Sequence, residues 1–529
     1  MSLFRTTILF LALIELLSIF AWALPIFNTA CFFVILVMVL FLSLKNLAYG
    51  LFAVFAELII GSYGYLFSLN LANGSTIISI RLGLFIVVML ALAVNILKNG
   101  LANYWQTLKA FKFFKYYLWL SAVVAWGFAW GIIRGNNFGN VFLDFNNWLF
   151  FLYLLPLVSI HQDRRFWFVF KSVVSAALIW LILKTLILLY IFSHQFIWAL
   201  PEVYQWVRDT RVGEITQFNG NFYRIFIQSQ IYALLGFFIL LPLTKKFRVI
   251  GYNSMIIACL SVVMISFSRS FWVGLVAGLF IYFVLTIYSL LVIRYSLLEK
   301  IKNSVALFLK PIIIFVFSLA LICVIAYAPP KISADLSQVF ANRATQVGAA
   351  GNSRLNMLKP LGQVIANHPL IGSGFGATVT YKSADPRVTA ATAGASGEFT
   401  TYAFEWAYLD LLLKVGLGGL VIYLLLIYKL LRSIWSQINF QFPRLPSASP
   451  LARYCPSKAM ASGQANGGQA IFNFQLNPRL QTQSLSVGLF IALMALLAVN
   501  IFTPYLNHPL GIGFILIVSV WLDRGKTQN

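Results

Sequence analysis

The chain has 529 residues, of which 60% are hydrophobic, 16% aromatic and only 10% charged, and its mean hydropathy is +0.86. Soluble domains carry about a quarter of their residues as Asp, Glu, Lys or Arg, so this composition excludes a water-soluble enzyme, a disordered chain and a disulfide scaffold and leaves a polytopic helical membrane protein. The net charge of +24, from 38 Lys and Arg against 14 Asp and Glu, is read first as sidedness in a bilayer and only then as affinity for nucleic acid.

A membrane span needs about 20 mostly apolar residues. In chain order, apolar runs predict spans near 7–23, 29–44, 47–69, 77–97, 116–133, 144–160, 166–193, 224–243, 249–267, 270–293 and 311–328. Further runs lie at 405–431, 484–502 and 509–522. The predicted fold is therefore all-α, a transmembrane bundle of about 12–14 spans. The runs are too long and continuously apolar for barrel strands. The first follows a basic start at Arg5 and ends in Ala21-Trp22-Ala23, which mimics a signal-peptidase site. A second apolar run follows at once, so an uncleaved span is expected.

With Arg5 inside and every run crossing, the inner segments collect Lys45, Lys98, Lys109, Lys112, Lys115, Arg164, Arg165 and most later Lys and Arg residues. The acids facing them are Asp163, Glu299 and Asp523. One orientation thus sorts the basic loops to one side, with both termini cytoplasmic. Nucleic acid is not an expected partner; the lipid bilayer is. The organisation that follows is 1–328 as eleven spans, 329–404 as a large outer loop, 405–431 as a span, 432–483 as a cytoplasmic insertion and 484–529 as the last spans. The insertion is rich in Pro, Gly, Ser, Asn and Gln and reads as flexible. The outer loop carries helical periodicity at Leu355, Met357, Leu358, Leu361, Val364 and Ile365, so it is expected to fold in part as amphipathic helix.

Charges at span edges are the best pointers to chemistry, because each is costly in lipid. Arg224 is expected to begin a span, Arg269 sits in Ser268-Arg269-Ser270 between two spans, Arg354 lies in the outer loop and Glu405 opens the span after it. One arginine at a helix end can simply anchor to lipid phosphate. Three with a carboxylate on one face point to an anionic ligand, since guanidinium suits bidentate phosphate contacts. Asp410 and Lys414, four apart on one helix, are expected to pair. Glu15, Glu57, Arg81 and Lys184 have no evident partner in sequence. Gly372, Gly374 and Gly376 predict a tight turn whose amides could cradle an anion. Aromatic residues near Glu405 (Tyr381, Tyr402, Trp406, Tyr408) could form sugar platforms or an interfacial belt. No phosphate-binding loop of the Gly-x-x-x-x-Gly-Lys type occurs, so ATP is not expected. The four histidines are too scattered for a metal cluster, and neither metal nor cofactor is expected.

Ser268-Arg269, Arg354, the run Asn367-His368-Pro369-Leu370-Ile371-Gly372-Ser373-Gly374-Phe375-Gly376 and the segment from Tyr408-Leu409 to Gly418-Gly419 together resemble the bacterial O-antigen ligase and polymerase superfamily. The resemblance covers roughly residues 260–425. It implies a glycosyltransferase at the periplasmic face of the inner membrane, taking a glycan from a polyprenyl diphosphate carrier to a hydroxyl of a glycan or glycolipid acceptor. It also implies that Arg269 and Arg354 contact the diphosphate. Where the ligases have a presumed histidine base this chain has Glu405, and where they have an acid it has Lys414. Attack opposite the leaving diphosphate implies an inverting, metal-independent transfer. A polymerase of the same superfamily and a transporter of lipid-linked sugars are the alternatives.

Overall fold

A computed structural model describes residues 3–70, 77–218, 222–243, 250–292, 297–328, 349–383, 398–438 and 478–524. Most of the expected cytoplasmic insertion and parts of the outer loop lie outside the described residues.

The chain opens with α1 (Leu3–Ala23), α2 (Pro25–Lys45) and α3 (Leu47–Ile60), then the hairpin β1 (Ser68–Asn70) and β2 (Ile77–Ser79). There follow α4 (Ile80–Asn99), α5 (Leu101–Ala110), α6 (Phe114–Ile133), α7 (Phe138–Trp148), a 3₁₀ turn (Leu149–Tyr153), α8 (Leu154–Ile160), α9 (Arg164–Ser193) and α10 (Leu200–Asp209). A second hairpin, β3 (Gly213–Gln217) and β4 (Tyr223–Ile227), leads into α11 (Ile231–Leu240), α12 (Ile250–Ile265), α13 (Arg269–Val292) and α14 (Leu297–Tyr327). The last part holds α15 (Ala349–Asn367), the hairpin β5 (Val379–Lys382) and β6 (Glu398–Thr401), α16 (Ala407–Trp435), α17 (Pro478–Val499) and α18 (Pro509–Arg524). All three hairpins are antiparallel, with Ser68 opposite Ser79, Gly213 opposite Ile227 and Val379 opposite Thr401.

Helix starts follow local chemistry. Asn46, Ser79, Asn137 and Asp163 each accept a backbone N–H of the first turn of α3, α4, α7 and α9, which satisfies donors a helix leaves open. Among the described residues nine helices are long and apolar enough to cross a membrane, with four shorter apolar ones beside them. The protein is a polytopic all-α membrane protein, as composition predicted. α3 and α18 are buried on nearly every face, as helices apolar all round should be, with α2, α4, α8 and α9 packed on α3 and with α7, α8 and α16 packed on α18.

The isolated charges of the sequence have partners across helices. Arg81 on α4 makes a bidentate pair with Glu57 on α3, at 2.9 and 3.0 Å. Lys184 on α9 pairs with Glu15 on α1 and donates to the Ile60 carbonyl at 2.8 Å. These pairs tie α1, α3, α4 and α9 together where a lone charge would be costly. Two expected spans need correction. The run 47–69 stops as helix at Ile60, where Gly61 and left-handed Ser62 and Gly64 turn the chain into β1. The run 224–243 begins as strand β4, so Arg224 sits on a hairpin and not on a span.

Candidate functional site

The periodicity of the outer loop becomes α15. Its Met357, Leu361 and Ile365 pack with Tyr381, Phe404 and Leu413 into a small core of their own. That packing fixes the first turns of α15 against the start of α16. The Arg354 guanidinium thereby lies on the Glu405 carboxylate, and Trp406 Nε1 donates to the Arg354 carbonyl at 3.0 Å. Both charged side chains remain partly open, 34% and 50% exposed, so an incoming ligand can reach the pair.

Trp406 carries the connection onward. Its ring packs on Phe502, centroids 5.3 Å apart. Next in the chain, Thr503 donates to Ser270 Oγ at 2.9 Å, and Ser270 shares a hydrogen bond with Ser268. Arg269 lies between those two serines as the first residue of α13, half-buried. Its helix points its positive end the same way, a second feature favourable to anions. Arg224, from β4, donates through Nε to the Ser266 carbonyl at 2.8 Å and stands 3.8 Å from Glu214. The turn 266–268, held by left-handed Phe267, thus links Arg224 to Arg269. Contacts running through Trp406, Phe502, Thr503 and Ser270 bring all four residues singled out in sequence to one end of the bundle.

The glycine turn has another use. Gly372, Gly374 and Gly376 all have left-handed backbone, φ +75, +80 and +74°, but their amides do not face a ligand. Ser373 and Gly374 donate to the Leu413 and Lys414 carbonyls, Phe375 to Gly127, and Gly376 to Asp144 Oδ2. Gly372 donates to His368. The anion cradle is therefore a correction: these donors are satisfied within the protein. The turn plugs a break in α16 at Gly416, whose φ of 67° and ψ of −177° interrupt the helix. A Cβ on Gly374 would come within 2.3 Å of Gly131 N, so only glycine fits between α6 and the break.

The plug also positions a buried charge cluster. Lys414 Nζ lies 2.7 Å from both Asp144 and Asp410, and Asp410 accepts from Asn507 at 2.8 Å. The expected pair of Asp410 and Lys414 is present, with Asp144 of α7 as a third member that spacing along the chain could not reveal. Beside this cluster is a polar cavity of about 230 Å³, lined among others by Arg81, Asp144, Arg211, Tyr402, Lys414 and His508. Phe404 lines it too, so it lies immediately beside the segment that carries Glu405. Burial, followed by the nearby Asp144 charge, raises the Tyr402 phenol above its usual range. Burial and then Arg81 push His508 down to about 3, so its ring is neutral at physiological pH.

Of the expected aromatic platforms, Tyr402 lines this cavity. Tyr381 is buried in the small core against Phe399, Trp406 bridges Arg354 and Phe502, and the Tyr408 hydroxyl donates to the Leu497 carbonyl at 2.9 Å. Sequence reading missed Arg211 and His508, in two connecting segments, and Asn146 and Asn147, on α7, which no local pattern unites.

Residues 254–424 match the family model of the O-antigen ligase, a stretch that takes in Arg269, the glycine turn, Arg354, Glu405 and the break in α16. Arg224 lies outside it. No curated protein matches the chain. The match supports the O-antigen ligase and polymerase superfamily for this polytopic membrane protein.

Proposed function

We propose that the protein is a glycosyltransferase at the periplasmic face of a bacterial inner membrane, with both termini cytoplasmic. It moves a glycan from a polyprenyl diphosphate carrier to a hydroxyl of a glycan or glycolipid acceptor, by ligase-type or polymerase-type transfer. The observation that carries this reading is the contact between Arg354 and Glu405, joined through Trp406 and Thr503 to the turn bearing Arg269.

The chemistry follows from charge. A sugar diphosphate has a good leaving group, and the bond that breaks is the anomeric C–O bond to the diphosphate. Arg269, Arg354 and Arg224 stabilise the negative charge that gathers there, as preorganised donors do best where water is scarce. The acceptor oxygen attacks the anomeric carbon from the opposite side, its proton passes to the Glu405 carboxylate, and the diphosphate leaves on its lipid with inversion at carbon. No metal takes part in this scheme.

The resting pair adds an order to the steps. A carboxylate held by Arg354 is a weak base. A donor diphosphate competes for the same guanidinium, and as Arg354 turns to it the Glu405 carboxylate is released to act. Base catalysis contributes typically about 10²–10⁴-fold. Glu405→Gln, reconstituted in proteoliposomes with a polyprenyl diphosphate-linked glycan, should lose transfer by that factor while its melting temperature stays near wild type. Wild-type transfer in this variant would remove Glu405 from the mechanism. A ladder of repeats on the carrier identifies polymerase-type transfer, and glycan on a second molecule identifies ligase-type transfer.

A further inference from the structure

The cavity beside Glu405 has a different character from the arginine side. Its three cations, Arg81, Arg211 and Lys414, are matched by three carboxylates, Glu57, Asp144 and Asp410. A balanced set offers no surplus charge to a phosphate. It does offer hydrogen bonds. The side chains of Asn146 and Asn147 make none among the described residues, and Arg211 meets the Tyr65 ring face at 4.6 Å with its N–H edge uncommitted. His508 Nδ1 accepts from Leu510 N at 3.3 Å, which leaves its Nε2–H as a donor. Tyr63, Tyr65 and Tyr402 supply ring faces. Neutral hydroxyls over aromatic faces are what a saccharide presents. At about 230 Å³ the cavity is smaller than a drug-sized pocket of about 300–1,000 Å³, so it suits one sugar ring.

A second space lies against it, with Leu149 as a shared wall. An apolar groove of about 320 Å³ runs between α6 and the α7–α8 segment, lined by Leu120, Val124, Phe128, Trp148 and Leu152, and Leu149 borders both spaces. From Tyr117 to Phe128, which mark its length on α6, is about 16 Å of helix. Its lining belongs to helices apolar enough to span a membrane, so the groove lies at hydrocarbon depth.

We infer that the cavity and the groove together bind the acceptor, a glycolipid whose reacting sugar is neutral and joined to its hydrocarbon chains without an intervening phosphate, with the sugar beside Glu405 and a chain along α6. This rests on the transfer reaction proposed above and names its second substrate. The shared wall at Leu149 places the two spaces side by side, which argues for a sugar close to its chain. The charge balance argues against a diphosphate-borne sugar in this place, and the arginine side already suits that group.

The test is direct labelling in nanodiscs, with monoglucosyl diacylglycerol carrying a diazirine midway along one acyl chain. Labelled peptides should come from 117–128 and 145–155, and unlabelled monoglucosyl diacylglycerol should compete while phosphatidylcholine at the same level does not. Ala125→Trp, at an exposed groove position, should cut labelling at least tenfold. Asn147→Leu should weaken the competition by the glucosyl lipid about tenfold. Glu405→Gln should be labelled like the wild type, so a failed transfer mechanism and a failed lipid site give different results. Equal competition by phosphatidylcholine means that the groove holds bulk bilayer lipid and overturns the inference, as does labelling elsewhere. Competition by the glucosyl lipid that Asn147→Leu leaves unchanged overturns the assignment of the sugar to the cavity.

Discussion

On the two flanks of the segment 402–406 the same residue types are used in opposite ways. On one side Arg224 stands by Glu214 and Arg354 meets Glu405, with Arg269 on the adjoining turn, and the Arg354–Glu405 pair is partly open. On the other, Lys414 is closed between Asp144 and Asp410, each side chain 10% exposed or less, and Arg81 is held by Glu57. An open guanidinium–carboxylate pair can exchange its partner for an arriving anion. A closed, balanced cluster cannot do so without stranding a buried charge, so it serves to shape and hold. Positive charge near a site therefore says little until its partners are known.

The largest effect should come from breaking the closed side. Lys414→Met leaves two carboxylates facing each other in the interior, and removing one partner of a buried pair costs about 3–5 kcal/mol. Thermal unfolding in detergent should show loss of the folded protein or a large fall in Tm, whereas Arg269→Ala on the open side should leave Tm nearly unchanged. The glycine plug sharpens the same contrast. Gly374→Ala forces a Cβ into left-handed backbone at φ +80° against Gly131, a strain of about 1–3 kcal/mol, and should lower Tm. Gly362→Ala, on α15 with open space around it, should raise stability by up to about 1 kcal/mol.

On the open side the effects should be kinetic. Arg224→Ala should raise the donor KM about tenfold, equivalent to about 1.4 kcal/mol, and leave the acceptor KM unchanged. A rise in the acceptor KM would break the division between flanks. The smallest effect concerns pH. His508 has its folded pKa lowered to about 3 from an unfolded value near 6.5, so the unfolded chain binds the extra proton between those values. Its contribution to stability is complete above pH about 6.5 and is lost as pH falls toward 3. His508→Asn should flatten the wild-type decline in Tm between pH 7 and 5.

The helical bundle was legible because lipid forces backbone bonding inside each segment and the apolar runs are long. Each predicted run overlaps a helix, and the helical loop at 355–365 is α15. The sidedness inferred from Lys and Arg remains an inference from charge. What escaped was whatever depends on contacts between distant segments. Glu57 and Arg81 lie on separate helices, Asp144 reaches Lys414 across the bundle, and the glycines read as an anion turn because nothing local reveals the broken helix they fill. Arg224 was placed on a span because Tyr223–Ile227 is apolar enough to extend the run that follows, while its strand pairing comes from 213–217. At the site, the residue types and their order were readable, but not which flank each would serve.

The central claim is that Glu405 and the donor diphosphate compete for Arg354. The most direct measurement is donor affinity beside transfer rate in wild type, Glu405→Gln and Arg354→Ala, using the same polyprenyl diphosphate-linked glycan in proteoliposomes. The account predicts that Glu405→Gln binds donor more tightly than wild type yet transfers it about 10²–10⁴-fold more slowly, and that Arg354→Ala binds it more weakly. Weaker donor binding in Glu405→Gln, or unchanged binding in Arg354→Ala, would contradict it.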